Sequence, residues 1–336
     1  MTYADFFAEW RGPLETVEAH TSGSTGQPKT ILLHKKDMER SARRTVDFFG
    51  IDACSSLHSC ISPDTIGGKM MALRSLMVGC RFSYETPSNR PELSPQAGSI
   101  FLDGKPAEEC PSCFDLVSVV PSQMLHVTRY PERYRHVKRW LVGGSPIPAS
   151  LAKAIAKEGL EVWESYGMTE TCSHIALRRV GAVKKEESEN IDAFRPLAGI
   201  TLSLDSRGCL TIEGARAEKI VTNDIAALNP DGTFRILGRA DNAIISGGRK
   251  IHPEELEYLI GEILNDHGID FIGLMVSGES DEKWGARAIL TIEGCDNIDK
   301  AEILAKLRSR LEGWMTPKEI RYGKIPRTSN GKIKRR

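Results

Sequence analysis

Thr21-Ser22-Gly23-Ser24-Thr25-Gly26-Gln27-Pro28-Lys29 brings hydroxyls, two glycines and a lysine into nine residues. Glycine admits φ > 0 and lets backbone amides approach a ligand closely. Successive amides in such a turn form an anion-binding concavity. Ser22, Ser24 and Thr25 add hydroxyl donors, and Lys29 adds a mobile positive charge, so the ligand this loop suits is a polyphosphate. Glycine- and serine-rich stretches are usually flexible linkers. This one, however, lies between two strand-like runs, Thr16-Val17-Glu18-Ala19-His20 and Thr30-Ile31-Leu32-Leu33. It is not a Walker A loop, because Gly23 and Gly26 are too close together. A strand follows Pro28, so no helix N-terminus helps to hold the phosphates; the loop must use its own amides, hydroxyls and Lys29.

Around the loop, the chain of 336 residues has room for roughly two domains. Lys plus Arg (45) equals Asp plus Glu (45), so no global basic field argues for nucleic acid. No apolar run approaches the roughly 20 residues of a membrane helix, and Met1-Thr2-Tyr3-Ala4-Asp5-Phe6-Phe7 lacks the basic start of a signal peptide. Eight scattered cysteines without an export signal imply free thiols in a reducing cytoplasm. Cys110-Pro-Ser-Cys113 has no second metal-ligand pair nearby and reads as two ordinary thiols.

Downstream, strands and helices alternate. A short helix over 5–10 is broken by Gly12-Pro13, and an amphipathic helix covers 36–49. A strand at 57–61 leads through a loop (63–68) to a helix at 69–77. Lys69 follows Gly67-Gly68 where that helix starts, a place that disfavours a cation and so points to an anionic partner. A buried strand enters a helix cap at 114–123. Strand 137–142 ends in Gly143-Gly144-Ser145-Pro146, followed by a helix over 149–158 and a strand over 161–165. This alternation predicts α/β architecture with a mostly parallel sheet. Ligands in such sheets sit beyond the carboxyl ends of strands, where Gly144, Ser145 and Pro146 lie, and likewise Ser165, Tyr166 and Gly167. In Ser165-Tyr166-Gly167-Met168-Thr169-Glu170-Thr171, Tyr166 offers a face for adenine, Thr169 a donor for an α-phosphate, and Glu170 a hard oxygen ligand for Mg²⁺. The spacing then becomes β-rich (200–204, 209–212, 220–222, 233–237). Pro253 with Glu254 and Glu255 marks a helix start. A helix over 254–266, strands over 271–276 and 286–292, a helix over 299–312 and a tail suggest a small α+β unit.

These motifs resemble, in order, those of the adenylate-forming superfamily of acyl- and aryl-CoA synthetases, adenylation domains and luciferases. The loop matches S/T-S-G-S/T-T-G-x-P-K, and Tyr166 to Glu170 matches Y-G-x-T-E. Residues 238–257 meet every fixed position of G-R-x-D-x-x-I-x-x-G-G-x-x-I-x-P-x-E-x-E. Pro326-Arg327-Thr328-Ser329-Asn330-Gly331-Lys332 matches P-R/K-T-x-x-G-K. The resemblance implies an N-terminally shortened large domain (1–238) and a small mobile C-terminal lid domain (239–336), with a hinge at Asp241. The long segment that usually precedes the phosphate loop is almost absent, and a homodimer is one way to compensate for it.

By the same resemblance Lys332 is catalytic, Asp224 holds the ribose hydroxyls and Arg239 faces ribose and phosphate. Gly247 and Gly248 swing in for the coenzyme A step. The family usually has T-G-D at 222–224; Asn223 replaces the glycine, and asparagine suits φ > 0 better than other residues with a side chain. The implied activity is ATP- and Mg²⁺-dependent activation of a carboxylic acid as its adenylate, then transfer to coenzyme A. The stretches Pro63 to Met71, with Gly68 and Lys69, and 119–123 look like the 2-succinylbenzoate–CoA ligases of menaquinone synthesis; Lys69 would meet that acid's second carboxylate. A general aryl- or acyl-CoA ligase, a carrier-protein-loading adenylation domain and a non-catalytic nucleotide-binding relative are the alternatives.

Overall fold

Thr2 opens the first helix, α1 (Tyr3–Arg11), with a reciprocal cap. Its Oγ1 accepts from the Asp5 amide at 3.1 Å, and the Asp5 carboxylate accepts from the Thr2 amide at 2.7 Å. Tyr3, Phe6 and Phe7 share one buried face of α1. The Tyr3 hydroxyl donates to the Ile61 carbonyl at 2.6 Å, which pins the helix to the sheet beneath it. The structure, a computed structural model, describes residues 1–20, 29–94, 99–107, 111–181, 193–295, 298–327 and 333–335.

Strands β1 (Thr16–His20) and β2 (Thr30–His34) pair antiparallel with His20 opposite Thr30, so both ends of the glycine loop stand side by side. Thr21, Ser22, Gly23, Ser24, Thr25 and Gly26 lie outside the described residues. After α2 (Lys35–Phe49) come β3 (Ser56–Ser59), α3 (Ile66–Val78), β4 (Arg81–Tyr84), β5 (Ile100–Leu102), β6 (Lys105–Pro106) and β7 (Leu116–Val119). Helix α4 (Pro121–Arg129), β8 (Trp140–Val142), α5 (Ala149–Glu158), β9 (Val162–Met168), β10 (Ser173–Val180) and β11 (Arg195–Pro196) follow.

Among the described residues, nine of these strands form one sheet in the order β11-β10-β9-β8-β7-β3-β4-β5-β6. The expectation of a mostly parallel sheet holds for its centre only. Neighbours from β9 to β4 are parallel, while β4-β5-β6 and β9-β10-β11 are antiparallel. Connection length accounts for the parallel centre and for the β5–β6 and β9–β10 pairs. Helices α3, α4 and α5 supply crossovers long enough for parallel return, whereas β5–β6 and β9–β10 are joined by tight turns that permit only antiparallel pairing. Every residue of β3, β7 and β8 is buried, as central strands covered on both faces must be. Tyr3, Phe6, Met70 and Phe82 pack in the core on one side, and Val117, Met124, Trp140 and Ile155 in the other.

A four-stranded antiparallel sheet follows: β12 (Thr201–Leu204), β13 (Cys209–Glu213), β14 (Ile220–Leu228) and β15 (Phe234–Arg239). Here the strand expected at 220–222 is corrected, because β14 runs on through Asn223 and Asp224 to Leu228. Asn223 is part of that strand and is not among the residues with positive φ, so the glycine-substitute argument does not apply.

From Ile244 onward a further core forms around Leu256, Ile260, Leu264, Leu290, Leu307 and Ile320. It is built from the hairpin β16 (Ile244–Ser246) and β17 (Arg249–Ile251), α6 (Pro253–Asp266), β18 (Gly273–Asp281), β19 (Gly285–Glu293), α7 (Lys300–Arg310) and β20 (Glu319–Tyr322). Strand β20, read from sequence as tail, adds parallel to β19. No helix among the described residues is long and apolar enough to cross a membrane.

Candidate active site

Residues far apart in sequence meet at the end of β9. The Tyr166 hydroxyl donates to Asp224 Oδ2 at 2.7 Å. Asp224 on β14 stands opposite Arg239 on β15, whose Nη1 donates to Asp224 Oδ1 at 3.2 Å. Arg239 turns its remaining fork on Asp241, with Nε and Nη2 each 2.9 Å from one carboxylate oxygen, a bidentate geometry that fixes the guanidinium plane. Burial pushes the Asp224 carboxyl pKa up, opposed by the Tyr166 hydrogen bond and the Arg239 charge. The hydrogen bond to Asp241 raises that of Arg239. The Tyr166 ring lies edge-on to Phe234, centroids 5.5 Å apart, with Phe194 at 5.8 Å.

Strand β9 extends past Ser165 to Met168, so Tyr166 and Gly167 are paired strand residues rather than residues beyond a strand end. Gly167 is there because the backbones are too close for anything larger: a Cβ would sit 2.3 Å from the Ser173 carbonyl oxygen. Thr169 and Glu170 form a single 3-10 turn (Thr169–Thr171), followed by Cys172 at φ 56° and Ser173 at φ 102°. Two consecutive non-glycine residues at positive φ store strain that the surroundings must over-determine. Helix α2 does so: Ser41 Oγ donates to the Cys172 carbonyl at 2.9 Å, and Thr45 Oγ1 lies 2.9 Å from His174 Nε2. Glu170 makes no ion pair or hydrogen bond with the described residues, which leaves its carboxylate available to a cation.

Gly144 (φ 90°), Ser145 and Pro146 lie in the turn from β8 to α5. Glu164, which sequence reasoning missed, holds that turn. Its Oε1 accepts from the Ile147 amide at 3.0 Å, and its Oε2 pairs with Arg178 at 2.6 Å. Lys29 stands exposed immediately before β2.

Lys69 is placed differently from expectation. Thr65, not the glycine pair, caps α3: its Oγ1 accepts from the Gly68 amide at 3.2 Å, so Gly67 and Gly68 belong to the first turn and Lys69 lies beyond it. Gly68 is a close-approach residue as well, since a Cβ would meet the Ser62 carbonyl oxygen at 2.2 Å. Lys69 Nζ is buried and donates to the Glu18 carbonyl of β1 at 2.6 Å. Burial lowers its pKa against the pull of Glu9, Asp64 and Glu18. One turn on, Arg74 is 1% exposed. Its contacts are Met71 Sδ at 3.4 Å and Ser173 Oγ at 3.3 Å, its Nε has no partner, and no carboxylate faces it among the described residues. Burial pulls its pKa down. The helical stripe of methionines around it in sequence hid this residue; only the packing of α3 against β10 reveals it.

Gly247 and Gly248 make the β16–β17 turn at φ 57° and 78°, with the Gly247 amide donating to the Trp284 carbonyl at 2.8 Å. Lys332 lies outside the described residues. The chain on either side of it is anchored. Arg327 bridges to Ile333, and Arg335 grips Glu257 through two 2.7 Å hydrogen bonds with Glu254 at 3.2 Å.

Solved structures share this fold, and curated proteins are similar along most of the chain. A structure from Dyadobacter fermentans, described as an acyl-CoA synthetase (AMP-forming)/AMP-acid ligase II-like protein, is 29% identical with a TM-score of 0.60, covering 98% of this chain and 90% of that one. The O-succinylbenzoate coenzyme A synthetase of Bacillus subtilis, in complex with ATP and magnesium ion, superposes with a TM-score of 0.74 at 20% identity, over 95% of this chain and 68% of its own. The 2-succinylbenzoate–CoA ligase of Listeria monocytogenes is 27% identical over 94% of this chain and 68% of its own length. That of Enterococcus faecalis is 28% identical over 95% and 68%. The AMP-binding enzyme family matches residues 19–205, more than half of the sequence, and the chain belongs to that family.

Proposed function

We propose that this protein is an ATP-dependent, AMP-forming acid–coenzyme A ligase whose acid is 2-succinylbenzoate. The observation that carries the chemistry is the convergence of Tyr166, Asp224, Arg239 and Asp241, from three separate motifs, on one hydrogen-bonded spot. An ionised carboxylate has about four acceptor sites. Tyr166 and Arg239 take one on each Asp224 oxygen, so two remain for the ribose hydroxyls. Tyr166 and its aromatic neighbours border the adenine, Gly144, Ser145 and Pro146 flank it, and Thr169 donates to the α-phosphate. The loop from Thr21 to Gly26 and Lys29 hold the β- and γ-phosphates.

Glu170, an oxygen donor with no described partner, fits a hard cation such as Mg²⁺. When bound, that ion offsets phosphate charge and orients the triphosphate. The acid's carboxylate attacks the α-phosphorus, the bond to the bridging oxygen breaks, and pyrophosphate leaves. Lys332 neutralises the charge gathering on the phosphoryl oxygens, since such transfer is governed by positioning and electrostatics. The coenzyme A thiol then attacks the acyl carbon and AMP leaves. Lys332 serves the first step only. We therefore assign residues 239–336 to a lid that turns about Asp241 and brings Gly247 and Gly248 to the second.

The choice of acid rests on the named activity of the curated relatives and on Arg74. A guanidinium so buried without a carboxylate is costly unless an anion joins it, and the second carboxylate of 2-succinylbenzoate is such an anion. Lys69 already serves the Glu18 carbonyl. The cytoplasm, which keeps thiols reduced, suits the free cysteines of the described chain. The test is acid-dependent pyrophosphate release over a panel: 2-succinylbenzoate, its analogue without the ring carboxylate, simple benzoates and fatty acids. Release with 2-succinylbenzoate above all others, followed by its coenzyme A thioester, supports the reading. Preference for another acid refutes the substrate, and loading of a phosphopantetheine protein but not coenzyme A refutes the acceptor.

A further inference from the structure

Strands β3 and β4 run parallel with His58 opposite Ser83. Cys60 is two residues beyond His58 on extended backbone, on the same face, and Glu85 follows the end of β4. The result is a nitrogen, a sulfur and an oxygen donor within 4.8 Å of one another. His58 and Cys60 are both 0% exposed. His58 Nδ1 lies 2.8 Å from Ser83 Oγ, yet its Nε2 has no hydrogen-bond partner. Glu85 is divided in the same way: Oε2 accepts from the Glu92 and Leu93 amides at 3.1 and 2.9 Å, while Oε1 has no hydrogen bond of normal geometry and the carboxylate otherwise meets only the weakly donating Cys60 thiol beside it. A buried polar atom without a partner costs about 1–3 kcal/mol. Two of them beside a thiol, in a core otherwise lined by Leu93, Phe114 and Val117, call for a shared occupant.

We propose that His58 Nε2, Cys60 Sγ and Glu85 Oε1 bind a divalent transition-metal ion, Zn²⁺ in the first instance. Imidazole, thiolate and carboxylate together are a zinc-type donor set, unlike the all-oxygen surroundings of Mg²⁺ or Ca²⁺. Thiolate and carboxylate balance the dication's charge, so the loaded site is neutral in a low-dielectric interior. Binding displaces the Cys60 proton to solvent. The Ser83 hydroxyl accepts from His58 Nδ1–H, which fixes the tautomer that presents Nε2 to the metal. Three protein donors leave one tetrahedral position for water. The ion would tie the ends of β3 and β4 to the segment carrying Glu92 and Leu93, and would stabilise the folded chain by mass action.

The test uses the full-length chain stripped of metal, with Cys113→Ser to remove an exposed thiol and Cys110→Ser to remove its C-x-x-C neighbour in sequence, and Co²⁺ as a spectroscopic probe. The expected result is one Co²⁺ per chain, with a thiolate-to-metal charge-transfer band and tetrahedral d–d absorption, all displaced by Zn²⁺. Ser83→Ala should retain the band and weaken affinity by about 10- to 100-fold, and Cys60→Ser should abolish the charge-transfer band. A folded protein that shows no such band, or a band that survives Cys60→Ser, overturns the proposal. If Cys60→Ser does not fold, Glu85→Gln decides: Co²⁺ affinity must drop, and an unchanged affinity overturns the proposal equally.

Discussion

Residue by residue, the site is defined by which charges are already answered within the chain. Asp224 is held by Tyr166 and Arg239 yet keeps acceptor capacity. Asp224→Ala should therefore weaken ATP binding by about 1.5–3 kcal/mol, the scale of hydrogen bonds to a charged group; calorimetric titration with ATP measures it, and an unchanged dissociation constant removes Asp224 from the ribose. The choice between Lys69 and Arg74 is settled by crossing two variants with two acids. Arg74→Met should lower kcat/KM for 2-succinylbenzoate by about 1.5–3 kcal/mol and leave the analogue without the ring carboxylate nearly unchanged. Lys69→Met should lower both alike, because it frees β1 rather than a substrate oxygen. If the patterns are reversed, the second carboxylate belongs to Lys69. Tyr166 and Asp224 were legible as chemistry-bearing residues in short motifs. Arg74 was not, since nothing in Met-Met-Ala-Leu-Arg tells a buried arginine from a solvated one.

At the scale of elements, the turn from β9 to β10 is the most constrained part of the site. It carries Thr169 and Glu170, runs through two strained residues, and is tied to α2 through Ser41 and Thr45. His174, just after it, is fully buried, and burial reinforced by the nearby Arg74 charge holds its pKa well below 6.5. Below about pH 6.5 the unfolded chain binds a proton at this position that the folded chain refuses. Stability is thus lost as pH falls, by about 1.4 kcal/mol per pH unit from this residue. Denaturant unfolding between pH 7 and pH 5 should give a slope shallower by that amount in His174→Gln; equal slopes would mean the imidazole is protonated in the fold. Strands β1 and β2 on either side of the glycine loop, and helix α5, were readable because period and end signals agree within a few residues. Strand β10, at Ser-His-Ile-Ala-Leu-Arg-Arg-Val, was not, because its pairing with β9 is decided by the turn and by burial against α2 and α3. The start of α3 was misplaced for a local reason: the glycine pair reads as a break, while the Thr65 cap three residues before Gly68 overrides it.

For the molecule as a whole, the proposed mechanism makes opposite demands on Lys332 in its two steps. Lys332→Ala should slow adenylation by about 100-fold or more, as loss of a preorganised transition-state donor does, and spare thioester formation from pre-made acyl-adenylate. Equal losses in the two half-reactions would argue against a lid that exchanges faces. The order of motifs suggests this division of labour from sequence; the pairing of Arg335 with Glu257 just beyond the final motif was not legible, because a basic tail reads as solvated until its carboxylate partner appears. Withholding the acceptor isolates the first half-reaction. Incubated with ATP, Mg²⁺ and 2-succinylbenzoate but no coenzyme A, the enzyme should accumulate bound acyl-adenylate and release an equal amount of pyrophosphate, detected together by mass spectrometry and a coupled assay. Coenzyme A added afterwards should discharge the adenylate to thioester and AMP. Formation of ADP and phosphate, or no adenylate with any acid, would contradict the account.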